Sequence, residues 1–216
     1  MHRKFIHNHR GYWSNPVFQR SVLFSVLFFT ASIVVSFYAI HFAGEHASNY
    51  VTDVILSNTP VFAVEDFFVY GTFVMIAISS VIATYHPKQI PFVLNTVALF
   101  FIIRSGFTSL THLAPYPVHA TSDFGTAINR AFFGSDRFFS AHTGLPFLGA
   151  LGFWYKPAIR YLFLATSVYF GVVVLMGHLH YSIDVLSAFF ITYTIYHIAR
   201  WLFATDYARF IAKDPA

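Results

Sequence analysis

The segment Gly177-His178-Leu179-His180-Tyr181-Ser182-Ile183-Asp184 places two histidines and an aspartate between two long apolar runs. Ionisable groups at a membrane boundary are costly to keep there, so they mark a working site. The spacing of His180 and Asp184 predicts one helix face, with Cβ atoms roughly 5–6 Å apart. A carboxylate so placed orients an imidazole and stabilises its charged form. Ser140-Ala141-His142-Thr143 offers a second imidazole, and Arg104 stands inside an apolar run. One histidine can then serve as nucleophile or general base and the other as general acid. The chain has no Cys, which excludes thiol catalysis and thiolate metal sites, and it has no Gly-x-Ser-x-Gly elbow. Phosphoryl transfer fits these residue types. Arg104 would clamp phosphate oxygens bidentately, His180 would attack phosphorus, and His142 would protonate the leaving oxygen. Ser140, Thr143 and the N–H groups of a helix starting there would cradle the anion. A metal site built from His142, His178, His180 and Asp184 is the competing use of the same ligand types.

These residues need elements to hold them, and composition says which. Of 216 residues, 56% are hydrophobic and 10% are charged, with a mean hydropathy of +0.59. Soluble domains carry about 25% charged residues, so an all-α polytopic membrane bundle is expected. Six apolar runs, 21–43, 61–84, 91–110, 138–155, 158–177 and 182–203, are long enough to be spans. They form one membrane domain over 21–203, between a basic head, 1–20, and a polar tail, 204–216. The first run is too long for a signal-peptide core of about 7–15 residues. Lys and Arg in the head, at Lys88, at Lys156 and Arg160, and in the tail fall on one side of a six-span chain, against Arg130 and Arg137 alone in the links of the other. The positive-inside rule makes that side, with both termini, cytoplasmic. The same rule accounts for the net charge of +4 without nucleic acid. Glu65, Asp66, Arg104, His142, His180 and Asp184 would then converge at the opposite, extracytoplasmic boundary. The link over 111–137, rich in Pro, Ser, Thr and His, is long enough to be functional.

The motifs carry a resemblance. Ser140-Ala141-His142 and His180-x-x-x-Asp184 resemble the second and third motifs of the type 2 phosphatidic acid phosphatase superfamily. Phe139, Ala141 and Val174 stand where that superfamily has Pro, Gly and Arg. Its sphingomyelin synthase branch is closer. Asp136-Arg137-Phe138-Phe139-Ser140-Ala141-His142-Thr143 is similar to Asp-x-x-x-Ser-Gly-His-Thr, and His180-Tyr181-Ser182-Ile183-Asp184-Val185-x-x-Ala188 to His-Tyr-Thr-Ile-Asp-Val-x-x-Ala. Arg104-Ser105 and Thr111-His112-Leu113-Ala114-Pro115-Tyr116-Pro117 resemble its Arg-to-Leu-Pro-x-Pro stretch. The resemblance implies six spans, a lumenal or extracellular site, the triad His142, His180 and Asp184, a phosphohistidine at His180, and no metal or other cofactor. Lipid acceptors would reach the site from the bilayer.

The expectation is therefore an integral membrane lipid phosphatase or phosphotransferase of the plasma membrane. Its donor would be a lipid phosphate or phospholipid, and its acceptor water, ceramide or diacylglycerol. Arg104, Ser140, Thr143, Arg137, Asp136, Tyr181 and His178 are the candidate substrate-binding residues. Arg137 serves equally as a surface anchor, and His178 as a group supporting the site. A non-catalytic lipid-binding protein and a metal- or proton-coupled transporter are the rival classes. Homo-oligomerisation and the headgroup stay open.

Overall fold

A computed structural model describes residues 11–120 and 138–212. Among these the regular structure is helical: α1 (Pro16–Glu45), α2 (Glu65–Tyr85), α3 (Ile90–Leu110), α4 (Ala141–Gly152), α5 (Pro157–Met176), α6 (Ser182–Leu202) and α7 (Ala204–Ile211), with short 3-10 turns at Leu56–Asn58 and Pro87–Gln89. Five helices, all but α4 and α7, are long and apolar enough to cross a membrane. Helix starts follow local chemistry. Asn15 caps α1, its side chain accepting from the Val17 N–H at 2.9 Å. Pro16, Pro91 and Pro157 occupy first-turn positions, where the missing N–H costs nothing and φ is already helical.

Neighbouring helices alternate in direction, and cross-links at the two ends establish this. At one end the Ser48 N–H donates to His112 O, the Phe62 N–H to Met176 O and the Ser140 N–H to Asp184 O. These join the end of α1, the entry to α2, the ends of α3 and α5 and the starts of α4 and α6. At the other end Ser21 donates to Asp206, Asn95 donates to Asp206, and Lys88 donates to Ala212 O. His142, His180 and Asp184 all belong to the first end.

Three expectations need correction. The run 138–155 yields α4, a helix of 12 residues, about 18 Å long, against a hydrocarbon core of about 30 Å. Its flanks leave helical geometry because Ser140 caps it and Phe153 ends it. The predicted second span loses residues 61–64, where the Phe62 N–H leaves the helix register to bond Met176 O. The predicted polar tail is partly α7, which tucks Phe210 under the bundle against Phe92 and Phe153.

Packing is uneven. α1 packs chiefly on α3, through the small buried residues Ser25, Ser32, Ser36, Ala39 and Ala43. Such residues let backbones approach where lipid offers no hydrophobic drive. Gly144 is another close approach: a Cβ there would come within 2.8 Å of Thr192 Oγ1 and 2.9 Å of Phe100. α2, by contrast, buries only Phe68 and Val69, near its start. Beyond them an apolar cavity of about 370 Å³ opens between α2, α3 and α4, lined by Met75, Ala83, Val93, Val97, Leu145 and Gly149 among others.

Candidate active site

The site grows from the turn between α5 and α6. α5 ends in paired reverse bonds, the His178 N–H to Leu175 O at 3.1 Å and the Leu179 N–H to Val174 O at 2.8 Å, as in a Schellman end. The left-handed position is taken by His178, at φ 53°, at a strain of about 1–2 kcal/mol. Gly177 is spent elsewhere: a Cβ on it would run into Val64, and its carbonyl accepts the Ala120 N–H at 2.9 Å. His178 uses both ring nitrogens, Nδ1 at 3.0 Å from Val118 O and Nε2 at 3.3 Å from Thr59 Oγ1. It ties the two links of this end to the turn.

His180 does not lie on a helix. α6 begins at Ser182, with Tyr181 as its cap, so the shared helix face predicted for His180 and Asp184 is corrected. The two still approach, His180 Nδ1 standing 3.4 Å from Asp184 Oδ2, without the alignment of a hydrogen bond. The physical reason is the acidic half of a capping box: Asp184, third in the helix, reaches back so that the same Oδ2 accepts the Tyr181 N–H at 3.1 Å. Both members are nearly buried, His180 at 7% and Asp184 at 2% exposure. The Tyr181 hydroxyl donates to Ala114 O at 2.9 Å.

α4 brings the second histidine. Ser140 caps it, accepting the Thr143 N–H at 3.4 Å, and its own N–H donates to Asp184 O at 3.1 Å. From α5, Ser167 donates to Thr143 O at 2.7 Å. The His142 ring packs against Phe68, with centroids 4.3 Å apart, and against Phe170 at 5.8 Å. Arg104, 2% exposed, donates from Nε to Phe139 O at 3.0 Å and carries its guanidinium over the Phe139 ring at 5.8 Å. Thr143 Oγ1 is buried without a hydrogen-bond partner.

The structure thus brings together Arg104, Ser140, His142, Thr143, His180, Tyr181 and Asp184, with His178 in the supporting turn. Asp136 and Arg137 lie outside the described residues. Glu65 and Asp66 open α2 at the same end, Glu65 half-buried and Asp66 exposed. Among the described residues no group of three or more His, Asp or Glu is placed to hold a metal ion.

Asp53 escaped sequence reasoning. Its Oδ2 accepts the Ser182 N–H at 2.7 Å and the Ser182 hydroxyl at 2.8 Å. Oδ1 accepts the Ile55 N–H at 2.9 Å and the Leu56 N–H at 3.1 Å. Burial alone would raise this carboxyl, but the bonds from Ser182, Leu56 and Ile55 outweigh it and hold the pKa below its ordinary value. A depressed folded pKa means the contribution to stability is complete above the unfolded value, about 4, and is lost as pH falls through the folded value. The unfolding midpoint in detergent is therefore expected to drop on acidification below about pH 4, and Asp53→Asn to lower the midpoint at pH 7 while removing its share of that acid step. Comparison with known protein families, characterised proteins and solved structures finds no match for this chain.

Proposed function

We propose that this chain is a metal-independent lipid phosphohydrolase or phosphotransferase working through His142, His180 and Asp184. The observation that carries the reading is the buried His180–Asp184 pair, 3.4 Å apart, with Ser140, the cap of the helix that carries His142, bonded through its N–H to Asp184 O and Arg104 bonded to the adjoining Phe139 O. The resemblance of these same residues to the sphingomyelin synthase branch points the same way.

In the proposed step, Asp184 keeps a proton on His180 Nδ1, leaving the Nε2 lone pair free to attack phosphorus. The P–O bond to the lipid breaks as His142 gives its proton to the departing oxygen. Arg104 and Thr143 Oγ1, with the first N–H groups of α4, hold the phosphoryl oxygens. Water or a lipid hydroxyl then attacks the phosphohistidine, passing its proton to His142, and the N–P bond breaks. His180 ends neutral, as it began.

The cavity beside α2 suits the tail of such a substrate. His142, Leu145 and Gly149 share one face of α4, and the cavity is lined from Leu145 to Gly152, roughly 5–15 Å along the helix from His142. Leu145→Trp, filling the end nearest His142, is expected to raise KM for a long-chain lipid about tenfold or more, an apolar-contact effect of at least 1.4 kcal/mol. Turnover of a short soluble phosphate should change little, and the ratio of the two substrates is the measurement.

We place the site on the extracytoplasmic side of a six-span chain with both termini cytoplasmic, in a plasma membrane. Lys88, Lys156, Arg160, Arg200 and Arg209 gather at the end opposite the site. Of the links at the site end, the one between α3 and α4 alone carries Lys or Arg in the sequence, at Arg130 and Arg137, so the basic bias still favours the opposite end, in line with the positive-inside rule. α4 would cross as an inner segment, its non-helical flanks shielded by protein: Phe139 and Ser140 are fully buried and Phe153 nearly so.

Turnover by purified protein in detergent with EDTA tests the reading. The panel is phosphatidic acid, ceramide phosphate, phosphatidylcholine and phosphatidylethanolamine, each with and without ceramide or diacylglycerol. Phosphate release or headgroup transfer that His180→Ala abolishes is expected. Silence of the folded native chain across the panel would overturn the enzyme reading and favour a lipid-binding role.

A further inference from the structure

We infer that Asp53 is a positioning residue for the His180–Asp184 pair, an inference that rests on the triad proposed above. The argument concerns which donors Asp184 has to serve. The first N–H groups of a helix have no partner inside it, and at α6 these belong to Tyr181, Ser182 and their successors. Asp184 Oδ2 already accepts the Tyr181 N–H at 3.1 Å and faces His180 Nδ1 at 3.4 Å. The Ser182 N–H and hydroxyl are the next donors along, and short polar side chains in a first turn compete for such groups. Asp53, from a link 129 residues away in sequence, takes both at 2.7 and 2.8 Å. Asp184 is thereby left to Tyr181 and His180.

Asp53 is itself held in place. Its other oxygen closes the turn that leads into Leu56–Asn58. That link is fastened again where Ser57 Oγ lies 3.0 Å from the Tyr116 hydroxyl and where Thr59 meets His178. Tyr181 bonds the neighbouring Ala114 O. The two links thus form a frame around the 177–182 turn, and Asp53 is the carboxylate that joins the frame to the catalytic helix. A merely structural clasp would lower stability alone; a positioning residue also sets how Asp184 meets His180.

A double-mutant cycle separates these roles. Asp53→Asn is expected to lower kcat roughly 10- to 100-fold with KM within about twofold, the scale of a misplaced catalytic group. In an Asp184→Asn background the same change should alter the residual kcat by less than about twofold, because the residue it acts through is gone. Ser182→Ala, which removes one donor and spares the fold, should show the same dependence on a smaller scale. The cycle is read independently by the ¹⁵N signals of His180 in histidine-labelled protein, which require no turnover. Asp53→Asn should shift them in the native background and not in Asp184→Asn. Native turnover with a full kcat in Asp53→Asn, additive losses in the cycle, or His180 signals indifferent to Asp53 would each overturn the inference. A native chain that turns over nothing on the panel while Asp53 still moves the His180 signals would overturn the enzyme reading instead.

Discussion

His180→Ala is expected to abolish turnover, by at least about 10⁴-fold, as loss of a nucleophile does, while the protein stays folded. The stability side follows from the local bonding. His180 precedes α6 and makes no helix-capping bond; the cap is made by Tyr181 and Asp184. Removing the imidazole leaves Asp184 with the Tyr181 N–H, so the cost is about 1–2 kcal/mol, typical of one lost buried polar contact. His178→Ala should do the reverse. It severs the bonds to Val118 and Thr59 and should lower the unfolding midpoint while leaving measurable turnover. Kinetics and thermal unfolding on the two variants check both halves of the statement. Equal losses of activity in both would mean that the turn as a whole, and not His180, is what matters.

The second large effect is expected at Arg104. A buried guanidinium in an apolar helix is costly to keep, and its Nε bond to Phe139 O employs one of five donors. A guanidinium can grip a phosphate through paired bonds, which an ammonium cannot copy. Arg104→Lys should therefore lower kcat/KM about 10²- to 10³-fold, the scale reported when an oriented transition-state donor is removed. Arg104→Met should lower it further. Stability should change by no more than about 2 kcal/mol, because the lost Phe139 bond is offset by relief of a desolvated charge. An Arg104→Met variant with native kcat/KM on a lipid phosphate would remove Arg104 from the site.

What could be read from the chain, and what could not, divides along physical lines. Apolar runs of span length and Pro at helix starts are local signals, and the five long helices were legible from them. His142, His180 and Asp184 were legible because ionisable residues between apolar runs are conspicuous. The geometry of the pair was not. A spacing of four suggests a helix face, but the capping box that begins at Tyr181 gives the same proximity with His180 outside the helix. α4 was over-read because hydropathy counts apolar residues and cannot see that Ser140 and Phe153 end the helix early. Asp53 was illegible for a different reason: its partner Ser182 is distant in sequence, and a lone Asp in a polar link looks solvated. Ser25, Ser32 and Ser36 lie inside the apolar run of α1. Their role as a packing stripe shows only once α3 lies against them.

The central claim is that His180 carries the phosphoryl group between donor and acceptor, and trapping that adduct tests it most directly. An activated aryl phosphate, whose leaving group needs no acid, would be mixed with the native chain and with His142→Ala and His180→Ala. After rapid quenching at alkaline pH, where phosphohistidine survives, the peptides would be mapped by mass spectrometry. The account predicts a phosphoryl group on His180 in the native chain, more of it in His142→Ala, where the base for the second step is missing, and none in His180→Ala. Steady turnover with no adduct on His180, or an adduct on another residue that persists in His180→Ala, would contradict it.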